Sequence, residues 1–307
     1  MKTRGISRRT FVASSFATTL TSLIAGPQWL HADPMGVAPG IQLYTVGDDL
    51  KKDPPGALAA LRNIGYKYVE TAGVAPLSSA AFRKALDTAG LECPSAHVRF
   101  TTGDPAPQFE EASTLGARFA VSSVLVARPL GSSMQEAIRS LSELSLDDFK
   151  RTAALANEIG RKAKEAGLQY VYHNHNFEFK DLGGGKIGYD ILLSETDPGL
   201  VKFEADCGWM TVAGHDPVKY FRGYPNRYCM IHVKDFLEGP VTTDLSPSNR
   251  PHGTELGRGF IDYKRIFQAC KAAGIQYYFS EQEPPFTDMP ALQAAKVDYE
   301  YMHSMPE

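Results

Sequence analysis

The sequence contains only 4 cysteines among its 307 residues, and no two of them form a Cys-x-x-Cys pair. Three of the four lie in apolar or strand-like stretches, where cysteine usually behaves as a small hydrophobic residue. We therefore predict that the protein has no disulfide framework. The four residues are Cys93, Cys207, Cys229 and Cys270.

An excess of positive charge is also missing. The formal net charge is −3, and it falls to −7 if the four Lys and Arg residues of the first 32 positions are removed with a signal peptide. A negatively charged protein repels phosphate backbones, so nucleic acid is a poor candidate partner. The content of 43% hydrophobic and 22% charged residues is typical of a globular protein with one large core.

The apolar stretch near the N-terminus is too short for a permanent membrane span, which needs about 20 residues. This stretch, residues 12–25, is interrupted by Ser and Thr and follows the run Ser-Arg-Arg-Thr-Phe at residues 7–11. An Arg-Arg pair before a moderately apolar segment without acidic residues indicates a twin-arginine signal peptide. We assign this signal to residues 1–32 and expect cleavage near Ala32. The mature protein is then periplasmic or secreted, without a stable membrane span.

A glycine-rich phosphate loop is absent as well. Residues 42–49, between the first predicted strand and helix, read Gln-Leu-Tyr-Thr-Val-Gly-Asp-Asp and contain no GxGxxG motif. This absence disfavours an open dinucleotide-binding sheet. Instead, eight apolar β-type runs alternate with helical patterns, which favours a closed (β/α)8 TIM barrel formed as a single domain by residues 38–303.

The eight strands and the clearest helices can be located from these patterns. Four helical patterns end at a glycine, which tolerates the positive φ that often closes a helix. These glycines are Gly65, Gly90, Gly167 and Gly274. The predicted strands are 40–46, 66–71, 91–98, 118–126, 169–175, 201–206, 228–233 and 276–281. The predicted helices are 55–64, 79–89, 145–166, 216–221, 262–273 and 290–303.

Polar residues are concentrated at the predicted C-terminal ends of the strands, where barrel enzymes carry their catalytic groups. Burying so many ionisable groups costs several kcal/mol apiece unless they are paired or bound to metal. We therefore predict one divalent cation, Mn²⁺, Co²⁺, Mg²⁺ or Zn²⁺, held by nitrogen and oxygen ligands. The predicted ligands are Asp206, His232 and Glu281, with His173 as the natural fourth. His175 and Glu178 remain alternatives for the ligand from the fifth strand.

Four segments carry a resemblance to a known family. They are Tyr-His-Asn-His-Asn-Phe-Glu-Phe at 172–179, Glu-Ala-Asp-Cys-Gly-Trp at 204–209, Ile-His-Val-Lys-Asp at 231–235 and Ser-Glu-Gln-Glu at 280–283. Together with Gly-Arg-Gly at 257–259, they resemble the sugar phosphate isomerase/epimerase-like proteins of the xylose isomerase-like barrel superfamily. The resemblance extends over about residues 38–303.

The resemblance implies a ligand set of Glu, Asp, His and Glu, as in the ketose epimerases of the superfamily. Asp206, His232 and Glu281 match this set, but the first glutamate falls on His173. This departure weakens the case for a two-glutamate epimerisation. It points instead to a subgroup similar to inosose dehydratase or to the lyases and hydrolases of 3-keto sugars.

These observations lead to a hypothesis in which the cation binds a carbonyl and its adjacent hydroxyl while a base removes the α-proton to give an enediolate. The main interpretation is an isomerase or epimerase of an unphosphorylated sugar or keto-sugar, because sugar phosphates are retained in the cytoplasm. The alternatives are a dehydratase or 3-keto glycoside lyase or hydrolase, and a non-catalytic sugar-binding barrel. Glu281 is the first choice as base. The other candidate catalytic residues are His97, His175, Glu178 and Lys234, and the candidate substrate-binding residues are Gln42, Glu70, Trp209 and Arg258.

Overall fold

The structure is a computed structural model that describes residues 33–100, 103–286 and 288–305. The predicted signal peptide, residues 1–32, lies outside the described residues. Eight parallel strands close into a barrel in which each strand pairs with the next along the chain and the last pairs with the first. The predicted (β/α)8 barrel is therefore confirmed.

Each strand lies within a segment that the sequence predicts, and six of the eight are shorter than predicted. The first strand stops early because the side chain of Gln42 accepts a hydrogen bond from the Tyr44 backbone N–H and the chain turns into the 3-10 helix Leu43–Val46. Numbered β1 to β8 along the chain, the strands are Gly40–Gln42, Tyr68–Thr71, Glu92–His97, Phe119–Ser122, Gln169–His173, Val201–Asp206, Tyr228–Val233 and Tyr277–Ser280.

The six predicted helices are present, with ends within two residues of the predicted ones, and five further helices join them in the described chain. The predicted glycine ends are confirmed, since Gly65, Gly90, Gly167 and Gly274 all have positive φ. Numbered α1 to α11, the helices are Gly47–Lys52, Pro54–Ile64, Ser79–Ala89, Ala106–Leu115, Met134–Ser142, Leu146–Glu165, Gly188–Glu195, Cys207–Val212, Pro217–Gly223, Tyr263–Ala273 and Ala291–His303. None of these helices is long and apolar enough to cross a membrane.

The barrel strands carry an apolar layer directly below the polar strand ends. Val171, Met230 and Phe279 belong to one small buried apolar cluster. Each lies two residues before a predicted site residue, and residues two apart in a strand point to the same side. The polar groups at the strand ends therefore lie over an apolar floor. The four cysteines are buried and free, as expected from the sequence.

The carboxyl group of Asp298 on α11 is buried and affects how stability depends on pH. Burial raises its pKa to about 7, although the Leu256 backbone N–H donates a 2.8 Å hydrogen bond to it. Aspartate in an unfolded chain has a pKa of about 3.9, so the folded state loses stability as the pH rises from about 4 to about 7.

We expect Asp298→Asn to keep the hydrogen bond and to raise the free energy of unfolding at pH 8 by about 2–4 kcal/mol. Urea unfolding of both proteins at pH 4.5 and pH 8 measures this effect. The gain should shrink at the lower pH, and an equal gain at both values would contradict a raised pKa.

Candidate active site

Three of the predicted metal ligands lie together at the ends of adjacent strands β6, β7 and β8. Asp206 pairs with His232 in the register of the sheet, and the ligand atoms of Asp206, His232 and Glu281 lie within 4.8 Å of one another. His232 Nδ1 is 3.0 Å from Glu281 Oε2 and 4.0 Å from Asp206 Oδ2. The closed barrel thus brings these residues into one site although they are far apart in the sequence.

His173, at the end of β5, lies beside this group. Its Nε2 atom is 3.9 Å from Asp206 Oδ2, and its Nδ1 atom is 3.1 Å from Glu204 Oε2. We call His173, Asp206, His232 and Glu281 the outer set. Its two imidazoles and two carboxylates are a donor combination typical of divalent metal sites.

Glu204 is a buried site residue that the sequence analysis did not single out. It lies two residues before Asp206 on β6, so the period of two was a signal that both point into the barrel. Glu204 Oε2 is 3.1 Å from His97 Nε2 and 3.3 Å from His232 Nε2. His97, His173, Glu204 and His232 form a second group whose ligand atoms all lie within 4.8 Å of one another, which we call the inner set.

His97, at the end of β3, lies between two buried carboxylates. Its Nε2 atom is 3.0 Å from Glu70 Oε2 and 3.1 Å from Glu204 Oε2. Burial opposes the charged ring, but Glu70 and Glu204 together raise the pKa of His97 to about 9. Burial and the nearby Glu70 charge raise the pKa of Glu204 to about 7. Both shifts favour the protonated forms of His97 and Glu204.

Lys234 is a buried cation beside the outer set. Its Nζ atom is 3.2 Å from Asp206 Oδ2 and 2.8 Å from Glu281 Oε2. Glu283 lies 2.5 Å from the same atom and also binds Arg250. Burial lowers the pKa of Lys234, but the surrounding carboxylates raise it above its ordinary value. Lys234 therefore offsets part of the negative charge of the site.

Burial shifts the pKa values of two residues that follow β5 in opposite senses. It raises the pKa of Glu178 to about 8, although Tyr172 and the His175 backbone N–H both donate hydrogen bonds of 3.0 Å to the carboxylate. It lowers the pKa of His175 to about 4. At neutral pH, Glu178 is thus an acid and His175 a neutral imidazole, which is the pattern of an acid/base pair.

The four predicted substrate-binding residues have partners within the protein. Gln42 donates a 2.8 Å hydrogen bond to Glu70, and both side chains are buried. Trp209 is 2% exposed and lies under the Lys234 ammonium, 5.0 Å from its ring. Arg258 is exposed and pairs with Glu255 at 3.1 Å. The contact of these residues with substrate stays a prediction.

The Gly-Arg-Gly segment at 257–259 is held by a buried aspartate. The backbone N–H groups of Gly257 and Gly259 both donate 3.1 Å hydrogen bonds to Asp235 Oδ2. A Cβ atom at Gly259 would clash with Asp235 Oδ1, so a side chain there would displace the carboxylate. The segment is therefore a tightly anchored loop at the end of β7.

The outer set fits a divalent cation. Asp206 Oδ2 is buried and accepts no hydrogen bond from any described residue, although Lys234 Nζ lies 3.2 Å away. A buried carboxylate oxygen without a hydrogen bond is costly, and a bound cation would supply the missing partner. The residues that would hold this cation are His173, Asp206, His232 and Glu281.

Comparison with known proteins gives three related findings. A family model for the xylose isomerase-like TIM barrel matches residues 58–302. Inosose dehydratase of Lacticaseibacillus casei is 28% identical over 247 residues, which cover 72% of this chain and 79% of that protein. The crystal structure of a sugar phosphate isomerase/epimerase from Parabacteroides distasonis ATCC 8503 matches with a TM-score of 0.69 and 25% identity, covering 88% of this chain and 94% of that chain.

A further likeness concerns the fold alone. A xylose isomerase-like TIM barrel protein from Mycobacterium smegmatis, solved in complex with magnesium, matches with a TM-score of 0.58 at 16% identity. The match covers 87% of this chain and 95% of that chain. The two solved structures thus share the barrel over 88% and 87% of this chain.

Proposed function

Because the chain belongs to the xylose isomerase-like TIM barrel family, we propose that it is a divalent-metal-dependent enzyme that removes the α-proton of an unphosphorylated sugar or keto-sugar. The observation that carries this proposal is the meeting of Asp206, His232 and Glu281, with His173, at the C-terminal ends of the strands. The cation would supply Lewis-acid polarisation of a carbonyl and its adjacent hydroxyl. Return of the proton to another carbon or face would complete an isomerisation or epimerisation.

Among the predicted bases, His175 is an alternative to Glu281 as the acceptor of the α-proton. Burial would raise the pKa of Glu281, but Lys234 and His232 together lower it well below its ordinary value, so this carboxylate is a weak base. The His175 ring is neutral, its Nδ1 atom has no hydrogen-bond partner among the described residues, and its centre lies 5.3 Å from that of His173. Its pKa of about 4 makes the ring a weak base as well, so the case for His175 rests on this unpartnered nitrogen beside the outer set.

A dehydratase is the second candidate, favoured by the similarity to inosose dehydratase and by the state of Glu178. In this reaction a base takes the α-proton, a carbon–carbon double bond forms, and the β-hydroxyl leaves as water with a proton from an acid. A carboxyl group with a pKa of about 8 is protonated at neutral pH and can provide that proton. The two candidate reactions share the first step and differ in the fate of the β-hydroxyl.

Metal analysis combined with solvent-deuterium exchange tests this function. We expect about one divalent cation per chain and deuterium next to the carbonyl of at least one compound in a panel of free ketoses, inososes and 3-keto sugars. NMR would show a new isomer for the first candidate and an unsaturated or dicarbonyl product for the second. Full turnover after removal of the metal would refute the proposal, and saturable sugar binding without exchange would indicate a non-catalytic barrel.

We also propose export through the twin-arginine pathway, which the Arg-Arg pair at residues 8–9 supports. An exported enzyme meets few sugar phosphates, which agrees with an unphosphorylated substrate. Lys-Lys in place of this pair should keep the protein in the cytoplasm, whereas unchanged export of that variant would argue against the signal. Cell fractionation measures the difference.

A further inference from the structure

We propose that two buried carboxylates, Glu70 and Glu204, position His173 and His232 so that one nitrogen of each ring faces the cation. We call Glu70 and Glu204 the inner carboxylates. The inference rests on the cation site of the proposed function and assigns a role to residues that would not touch the cation. It also gives Glu70 a different task from substrate binding.

His232 has a different carboxylate environment at each ring nitrogen. Its Nε2 atom lies 2.6 Å from Glu70 Oε2 and 3.3 Å from Glu204 Oε2. Its Nδ1 atom faces the other way, 3.0 Å from Glu281 Oε2. If Nε2 carries the hydrogen that Glu70 accepts, then Nδ1 keeps its lone pair for a cation held with Glu281.

His173 repeats this arrangement on a separate strand. Its Nδ1 atom lies 3.1 Å from Glu204 Oε2, while Nε2 points toward Asp206 Oδ2 at 3.9 Å. In both rings the nitrogen nearest an inner carboxylate is the one directed away from the outer set. A ring N–H donated to a carboxylate fixes the tautomer and orientation of a metal-binding histidine.

Glu70 is itself held in place by several donors. Gln42 Nε2 donates to Glu70 Oε2 at 2.8 Å, and Ser95 donates to Glu70 Oε1. Both inner carboxylates have no exposed surface. A fully buried acceptor with fixed partners cannot rotate freely, so it can hold His232 in one orientation.

The inner set of His97, His173, Glu204 and His232 is the competing location for a cation. Its ring nitrogens are already directed at carboxylate oxygens, at 3.1 Å for His97 and His173. Each set contains one buried carboxylate oxygen that accepts no hydrogen bond from the described residues, Glu204 Oε1 in the inner set and Asp206 Oδ2 in the outer set. The outer set is favoured because His173 Nε2 and His232 Nδ1, the ring nitrogens directed away from the inner carboxylates, face its carboxylates.

Titration of the metal-free protein with Co²⁺ in a calorimeter tests the proposal, without any need for turnover. We expect Glu70→Gln and Glu204→Gln each to weaken Co²⁺ binding by about 10–100-fold. Asp298→Asn, which removes a buried carboxylate whose hydrogen bond is to the Leu256 backbone rather than to a residue of either set, should leave Co²⁺ affinity within about twofold of wild type and serves as the matched control. Nitrogen-15 NMR of histidine-labelled apoprotein should show His173 protonated at Nδ1, the atom 3.1 Å from Glu204 Oε2, in the wild type and a mixture of tautomers in Glu204→Gln.

The results distinguish failure of the proposed function from failure of the positioning role. If the wild type binds no Co²⁺, both the proposed function and this inference fail. If it binds Co²⁺ and the two Gln variants bind equally well with unchanged tautomers, the inference alone is wrong. The His97→Gln variant should still bind the cation. If this variant does not bind the cation, the inner set is the binding site and the positioning role of the inner carboxylates is wrong.

Discussion

Asp206→Asn is expected to remove the divalent cation and α-proton exchange together. Loss of one carboxylate ligand should weaken cation binding by more than about a hundredfold. Even residues that only hydrogen-bond to metal ligands change metal affinity by about 10–100-fold when they are mutated. The fold should persist, because the side-chain oxygen of the substituted asparagine can still accept the 2.8 Å hydrogen bond that the Trp209 backbone N–H donates at the start of α8. Metal content and deuterium incorporation are measured on the same preparation.

Asp216→Asn provides the matched control for this change. Asp216 also caps a short helix, accepting a hydrogen bond of 3.0 Å from the Val218 backbone N–H, but it pairs with Arg265 rather than with the outer set. Its asparagine variant should keep both cation and exchange. A stable Asp206→Asn protein with a full complement of metal would show that Asp206 is not a ligand.

Lys234→Met should be the most destabilising change in the site. Removing one partner of a buried ion pair leaves uncompensated charge and costs about 3–5 kcal/mol. Here the lost ammonium lies within 3.2 Å of Asp206, Glu281 and Glu283. Urea unfolding of the metal-free protein measures the loss, and added Mn²⁺ should restore part of it because a cation neutralises the same carboxylates.

The exposed pair of Lys67 and Glu92 serves as the control for Lys234. These side chains are 3.6 Å apart and largely open to solvent, so Lys67→Met should change the free energy of unfolding by less than about 1 kcal/mol. Equal effects of the two substitutions would contradict the view that Lys234 offsets buried charge. If Mn²⁺ does not change the free energy of unfolding of Lys234→Met, Lys234 and the cation do not neutralise the same carboxylates.

The histidine at position 173 also affects which cation the outer set prefers. Two imidazoles and two carboxylates carry one negative charge less than the set of three carboxylates and one histidine that the ketose epimerase resemblance implies. Imidazole suits Zn²⁺ and other transition metals, while carboxylates suit Mg²⁺ and Mn²⁺. The same Co²⁺ titration repeated with Mg²⁺ would therefore show weaker binding of the harder ion.

The sequence by itself determined the barrel and much of the composition of its site. The sequence contains three kinds of local pattern: eight apolar runs, helices that end at glycines, and polar residues at strand ends. Such local patterns directly indicate secondary structure and the ends of its elements. The helices missed from the sequence include α8, Cys207–Val212, which has six residues and is too short for a helical period to be recognised.

Tertiary structure alone decided which polar groups lie together and how their pKa values shift. Asp206 and His232 become neighbours through the register of β6 and β7, and Glu204 joins them because barrel closure brings it toward His97 and His232. Burial then lowers the pKa of His175 and raises that of Glu178. The residue types alone do not predict these shifts. Distances across a closed barrel and the loss of water depend on the whole chain, so no local stretch of sequence contains them.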